Sequence, residues 1–266
     1  MEQHRVFAQA ARTVHRKRPS RGPFDVPTSM EGSTTHCVVY YETTLGKEGS
    51  TIAKAVMGKC EADFAKLAGF FGGIRLPKPL NVIVAALERS GDGSGGAYHH
   101  TCLAEDLYCD IKIHPTMDTD FTNFLVVAEA VEVFEAVQSA GWECGGGNGE
   151  GLSRVLATEL YPRELGGYTT AARWLDSDRP DYVNQNNPTD RDAVTNGCAV
   201  LFLNYMHTQL NIGWDKIVQA GGSDLGQTYA HLGLGNDGFI KFRQLMDARF
   251  AIGKPSGVMT DNPFPL

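Results

Sequence analysis

The spacing of hydrophobic and polar positions changes near residue 119. Before this point, short apolar runs alternate with glycine-rich turns, which predicts strands over 37–44 and 79–89, two short strands within 97–114, and one helix over 49–72. After it, apolar residues recur at helical spacing. The predicted helices there are 120–140, 150–162, 197–210, 213–221, 224–232 and 238–250. The pattern indicates an α+β fold, with a mixed part at 34–118 followed by a mainly helical part at 119–266.

Residues 1–33 are predicted to form a basic N-terminal arm, because arginines and a lysine recur there without an apolar run. The whole chain nevertheless carries a net charge of −7. An acidic balance argues against a nucleic-acid partner, which needs a basic face. We expect no membrane span and see no signal peptide in the sequence, and its location in the cell stays open.

Six cysteines are present, and none of them shows the CxxC spacing of a zinc knuckle or thioredoxin-type site. Cys102 and Cys109 flank a predicted hairpin, and Cys144 lies in a glycine-rich loop. The sequence leaves two states open, one or two disulfides or fully reduced thiols.

The stretch FLVVAEAVEVFEA, residues 124–136, is apolar nearly all round, yet it contains Glu129, Glu132 and Glu135. A helix of this kind is usually buried, and a buried carboxylate is costly unless it is paired, bound to a metal or protonated. Glu129 and Glu132 are three residues apart and therefore share one side of the helix. A further glutamate, Glu150, opens the next predicted helix 18 residues after Glu132.

This arrangement resembles the gluzincin (thermolysin-like) metallopeptidases of the zincin group. In that family a His-Glu-x-x-His helix is followed at about this distance by a third ligand, a glutamate in an Asn-Glu-x-x-Ser context. Here Ala128-Glu129-x-x-Glu132 is followed by Glu150-Gly151-Leu152-Ser153. The resemblance implies a zincin-like fold, with an edge strand at 97–102 above a cleft between the mixed and helical parts.

The chain departs from the family where the metal would bind. Ala128 and Glu132 replace both ligand histidines, and Arg154 replaces an acidic residue that supports a ligand histidine. Because a zinc site normally uses three protein ligands with nitrogen or sulfur character, we expect no zinc.

Three alternatives follow for the glutamates. In the first, Glu129 acts as general acid or base with Glu132 and Glu150 as partners, in a metal-free hydrolase of glycosidic or peptide bonds. In the second, the cluster binds a hard divalent cation such as calcium. In the third, Arg154 or His207 neutralises the glutamates and the chain is a non-catalytic binding protein. We favour the first, with a small sugar or peptide substrate, no cofactor, and neither nucleic acid nor membrane as a partner.

Five other residues are candidates for substrate contact. The predicted edge strand and the 197–210 helix supply four of them, and an indole beside the cleft supplies the fifth. They are His99, His100, Tyr205, His207 and Trp174. Ordinary packing or exposed edge positions are the competing interpretation for each.

Overall fold

The structure is a computed structural model that describes residues 26–86, 97–98, 110–113, 119–163, 169–187 and 192–266. Its strands are β1 (Thr28–Ser33), β2 (Cys37–Glu42), β3 (Leu80–Val84), β4 (Ala97–Tyr98) and β5 (Asp110–Ile113). They form one sheet in the order β1-β2-β3-β5-β4. β2, β3 and β5 are parallel, whereas β1 and β4 lie at the two edges and run antiparallel to their neighbours.

The helices of the described chain alternate with short turns. They are α1 (Gly46–Phe70), α2 (Thr119–Gln138), α3 (Gly147–Leu160), α4 (Ala171–Leu175), α5 (Ala193–Asn204), α6 (Trp214–Gln219), α7 (Leu225–His231) and α8 (Gly238–Arg249). A π-helical turn, Tyr205–Gln209, continues α5. The predicted α+β class is confirmed, with the helices concentrated after residue 119.

Helix α2 joins the two parts of the molecule. It packs against β4 and β5 of the sheet, against α1 on one side and against α3 on the other. One large hydrophobic core runs from Cys37 to Met246 through both parts, and Ile83 and Ala85 form a small separate cluster. The mixed and helical parts therefore share one interior, and α2 lies at its centre.

Several boundaries differ from the predicted ones. Thr28–Ser33 is not part of an arm, because it pairs with β2 as an edge strand, and its polar sequence TSMEGS hid this. The helix predicted to begin at Glu150 begins earlier, after Gly146. Within it, the side chain of Asn148 donates hydrogen bonds to the carbonyls of Gly141 (3.0 Å) and Gly222 (2.9 Å) and so ties α3 to two loops.

No helix within the described ranges is both long and apolar enough to cross a membrane. Cys144 is disulfide-bonded, while Cys37, Cys60 and Cys198 are free. The sequence had left both oxidation states open, and the structure thus contains both a bonded cysteine and reduced thiols.

Candidate active site

Helix α2 carries its glutamates into the interior. Side-chain exposure is only 5% for Glu129, 8% for Glu132 and 0% for Glu135, and nearly every residue from 122 to 135 is buried. The helix ends where Ser139 and Gly141 adopt positive φ values of 52° and 102°. The composition of the segment, apolar on all sides, explains why the whole helix lies inside the protein.

Helix α3 brings the fourth glutamate beside α2. Glu150 is 6% exposed and lies in the first turn of α3. The two helices approach closely at Gly149, where a Cβ atom would lie 2.7 Å from Oε2 of Glu135 and 2.3 Å from the carbonyl oxygen of Glu143. Only a residue without a side chain fits at this position, so Gly149 sets the distance between α2 and α3.

Glu135 has the most perturbed environment of the four. Neither of its carboxyl oxygens has a hydrogen-bond partner within the described residues. Burial raises its pKa well above the ordinary value of 4.5, and the nearby charge of Glu150 raises it further. This environment favours the protonated form of the carboxyl, since an unpaired buried charge would cost several kcal/mol, on the order of the effective desolvation penalty of one ion.

Arg154, four residues after Glu150 on α3, is also buried. Its Nη1 donates to Oγ1 of Thr170 (3.0 Å). Burial lowers the pKa of the guanidinium, and the charges of Asp261 and then Glu150 counteract this effect. The charges of Asp261 and Glu150 thus both favour the charged form of Arg154.

Asp261 comes from the C-terminal segment of the chain. Its Oδ1 accepts hydrogen bonds from the backbone N–H groups of Thr170 (2.7 Å) and Ala171 (2.8 Å) at the start of α4. Burial raises the pKa of this carboxyl, while Arg154 and the two N–H groups oppose the shift. A chain of buried ionisable groups thus runs from Glu135 through Glu150 and Arg154 to Asp261.

Within the described ranges, no group of three or more His, Cys, Asp or Glu side chains is arranged so that it could hold a metal ion. The charge of Glu150 raises the pKa of Glu135, yet the four glutamates do not form such a group. The donor set therefore gives no support to the alternative of a hard cation at this cluster.

Tyr205 and His207 are held by other parts of the protein. Tyr205 packs in an aromatic group with Phe202, Phe242 and Phe264, at ring-centroid distances of 5.9, 5.6 and 6.5 Å. The ring of His207 stacks on Trp214 at 4.3 Å, and its Nδ1 lies 2.8 Å from the carbonyl oxygen of Ile212. These contacts are those of packing residues, and no described contact joins either side chain to Glu129 or Glu132.

Trp174 is fully buried, stacks on Phe242 at 5.1 Å, and donates from Nε1 to the carbonyl of Pro180 (2.9 Å). A sugar ring cannot stack on an indole that protein atoms cover on all sides, so Trp174 is a core residue here. His99 and His100 lie outside the described residues, although β4, which directly precedes them, is an edge strand that packs against α2.

A cavity of about 380 Å³ opens beside the C-terminal half of α3. It is lined by residues of α3, α5 and the C-terminal segment, including Arg154 and Asp261, and none of the three predicted catalytic glutamates contributes to its wall.

Glu135 is the site residue that the sequence analysis did not select. Its signal was present, because it lies three residues after Glu132 in a helix that is apolar on every side. The family pattern drew attention to the positions of the missing ligands, and Glu135 lies outside that pattern.

Comparisons of the chain with protein-family models, with curated proteins and with solved structures found no match.

Proposed function

We propose that the protein is a hydrolase in which buried glutamates of α2 and α3 perform general acid–base chemistry on a glycosidic or peptide bond. Glu129 serves as the acid or base, and Glu132 and Glu150 are its partner carboxyl groups. The proposal rests on the gluzincin-like placement of these residues and on one feature of the site, the buried Glu135 carboxyl whose pKa is raised by burial and by the charge of Glu150.

That observation bears on the chemistry as follows. Acid–base hydrolysis needs one carboxyl that holds a proton at neutral pH and another that does not. Burial and like-charge repulsion produce this difference. Burial raises the pKa of Glu135, and the charge of Glu150 raises it further. Glu135 has no exposed surface, whereas the other three glutamates each keep a small exposed fraction, so we assign it a positioning role beside Glu150.

The first experiment is a screen of the purified protein against chromogenic glycosides and a fluorogenic peptide library, in the presence and absence of a chelator. Once a substrate is found, Glu129→Gln is expected to reduce kcat by about a hundredfold or more, since general acid–base groups contribute this much. Glu48→Gln, at an exposed position of α1, is the matched control and should retain full activity.

Two outcomes would contradict the proposal. Unchanged turnover in Glu129→Gln would exclude Glu129 as the acid or base. Elemental analysis of the same preparation is expected to show no stoichiometric zinc, and one zinc per chain would overturn the metal-free mechanism. Melting curves of each variant show whether a loss of activity reflects a loss of fold.

The second candidate is a non-catalytic binding protein on the same scaffold. It is favoured by the electrostatic interaction of Arg154 with Glu150, and by the engagement of Tyr205 and His207 in packing. This function predicts that a sugar or peptide binds and is not hydrolysed. It also predicts that Glu129→Gln does not change the affinity of the protein for this ligand.

A further inference from the structure

The cavity beside α3 has a buried polar floor and an exposed mouth. Arg154, Asn204 and Asp261 on the floor are buried, together with Val155 and Val200. The mouth is formed by the exposed residues Glu159, Pro162, Thr260 and Asn262. Its volume of about 380 Å³ lies near the lower end of the range for small-molecule sites, roughly 300–1,000 Å³.

The floor is held rigidly by contacts between distant parts of the chain. Asn204 donates from Nδ2 to the carbonyl of Asp261 (2.9 Å), and Asp261 Oδ1 accepts from the start of α4. Arg154 donates to Thr170, the residue before α4. A polar surface fixed in this way loses little entropy when a ligand binds to it.

One carboxyl oxygen on the floor lacks a hydrogen-bond partner among the described residues. Oδ2 of Asp261 is buried and accepts no hydrogen bond from any described residue, although its Oδ1 accepts two. Buried acceptors nearly always have a donor, so an orphaned carboxyl oxygen in a cavity wall indicates a missing donor group.

The charges around the cavity restrict the chemical class of that donor. An anion would enter past the carboxylate of Glu159 at the mouth and meet Asp261 on the floor. A cation would have to share the floor with the guanidinium of Arg154. A neutral hydroxyl group avoids both costs, and it can donate to a carboxyl oxygen while accepting from a threonine or asparagine side chain.

We propose that this cavity binds a neutral, hydroxyl-rich molecule of about the size of a monosaccharide. One hydroxyl group of this molecule donates a hydrogen bond to Oδ2 of Asp261. Val155, Val200, Pro162 and Trp214 supply apolar walls for the C–H faces of the sugar. The inference concerns a cavity that the catalytic glutamates do not line, so it does not depend on the proposed hydrolysis.

The test is saturation-transfer NMR with methyl pyranosides of glucose, galactose and mannose. Acetate serves as the anionic probe and ethanolamine as the cationic one. A pyranoside is expected to bind saturably, and the two charged probes are not. An oligosaccharide ending in the same sugar distinguishes a free monosaccharide from the terminal unit of a glycan, because only a cavity open to glycans accepts both.

Two kinds of variant locate the binding. Asn262→Trp at the exposed mouth should abolish it by filling the cavity, whereas Asn236→Trp, exposed and outside the cavity wall, should leave it unchanged. Asp261→Asn is expected to weaken it by about tenfold or more, as for the loss of a hydrogen bond to a charged group. Melting curves confirm that each variant is folded.

Three outcomes would overturn the proposal. These are the absence of saturable binding for every pyranoside, preferential binding of acetate or ethanolamine, and pyranoside binding that survives Asn262→Trp. Each can be read from a folded protein, so a destabilised Asp261→Asn does not prevent a decision.

Discussion

Oε2 of Glu135 lies only 2.7 Å from the point where a side chain on Gly149 would begin. The fully buried carboxyl of Glu135 thus faces a position of α3 that has no room for a methyl group. The two residues together decide how closely α2 and α3 approach, and the remaining glutamates are carried on these same two helices.

Gly149→Ala is expected to destabilise the protein by about 1–3 kcal/mol, because the added methyl overlaps Glu143 and Glu135 in a packed interior. Urea unfolding measures the change. Gly58→Ala is the matched control, since Gly58 is in helix α1 with nothing within 4 Å of the added Cβ. It should be stabilising by about 0.5–1 kcal/mol, and equal effects at both positions would refute the close approach.

Glu135→Gln should make the stability less dependent on pH. The folded-state pKa of Glu135 is raised above 4.5, so between these two values the unfolded chain is ionised while the folded protein holds a proton. The stability of the wild type therefore falls as pH rises above about 4.5, by up to about 1.4 kcal/mol per pH unit. The glutamine variant lacks this loss, and its advantage should grow as the pH rises above about 4.5 toward the raised pKa of Glu135.

Thermal melts at several pH values, with Glu48→Gln as the exposed control, measure this difference. A constant gap between Glu135→Gln and the wild type over that range would mean that Glu135 is ionised in the folded protein. It would also remove the observation on which the proposed function chiefly rests.

Arg179→Lys is expected to destabilise the protein by about 1–3 kcal/mol, because buried carbonyl acceptors lose their donors. Arg179 is fully buried and donates to Asp247 (2.5 Å), to the carbonyl of Leu175 (3.0 Å) and to the carbonyl of Phe250 (3.0 Å). A lysine cannot reproduce three donors in these directions, because it lacks the planar fork of the guanidinium.

Arg243 provides the internal control, since it pairs with the same Asp247 (3.5 Å) from a partly exposed position on α8. Arg243→Lys should cost less than about 1 kcal/mol, in line with ion pairs at protein surfaces. Denaturant unfolding measures the loss of stability in both variants. Similar losses would contradict the importance of the three hydrogen bonds that Arg179 donates.

Much of the architecture was predictable because its signals are local. The segment 124–136 is apolar on all sides, and its burial in α2 follows from that alone. Helix α8 begins at Gly238 as predicted and ends within one residue of the predicted end, since its apolar residues recur at helical spacing. β1 was missed because an edge strand with polar residues on both faces carries no such period.

The site was predictable only in part, because its environment is built from distant segments. The positions of Glu129, Glu132 and Glu150 came from the spacing of a motif. Nothing near Arg154 in the sequence indicates that its main charge partner is Asp261, or that Trp174 is covered by Phe242. Contacts of this kind depend on the packing of whole elements, which periodicity does not encode.

The role of Asp261 has a consequence for how the molecule is made. The N–H groups that this residue accepts from belong to positions 90 and 91 residues earlier in the chain. During synthesis, Arg154, Thr170 and Asn204 all leave the ribosome before the carboxylate that completes their surroundings exists. The helical part can therefore reach its final polar interior only after residue 261 has left the ribosome, and until then it depends on its apolar contacts to stay collapsed.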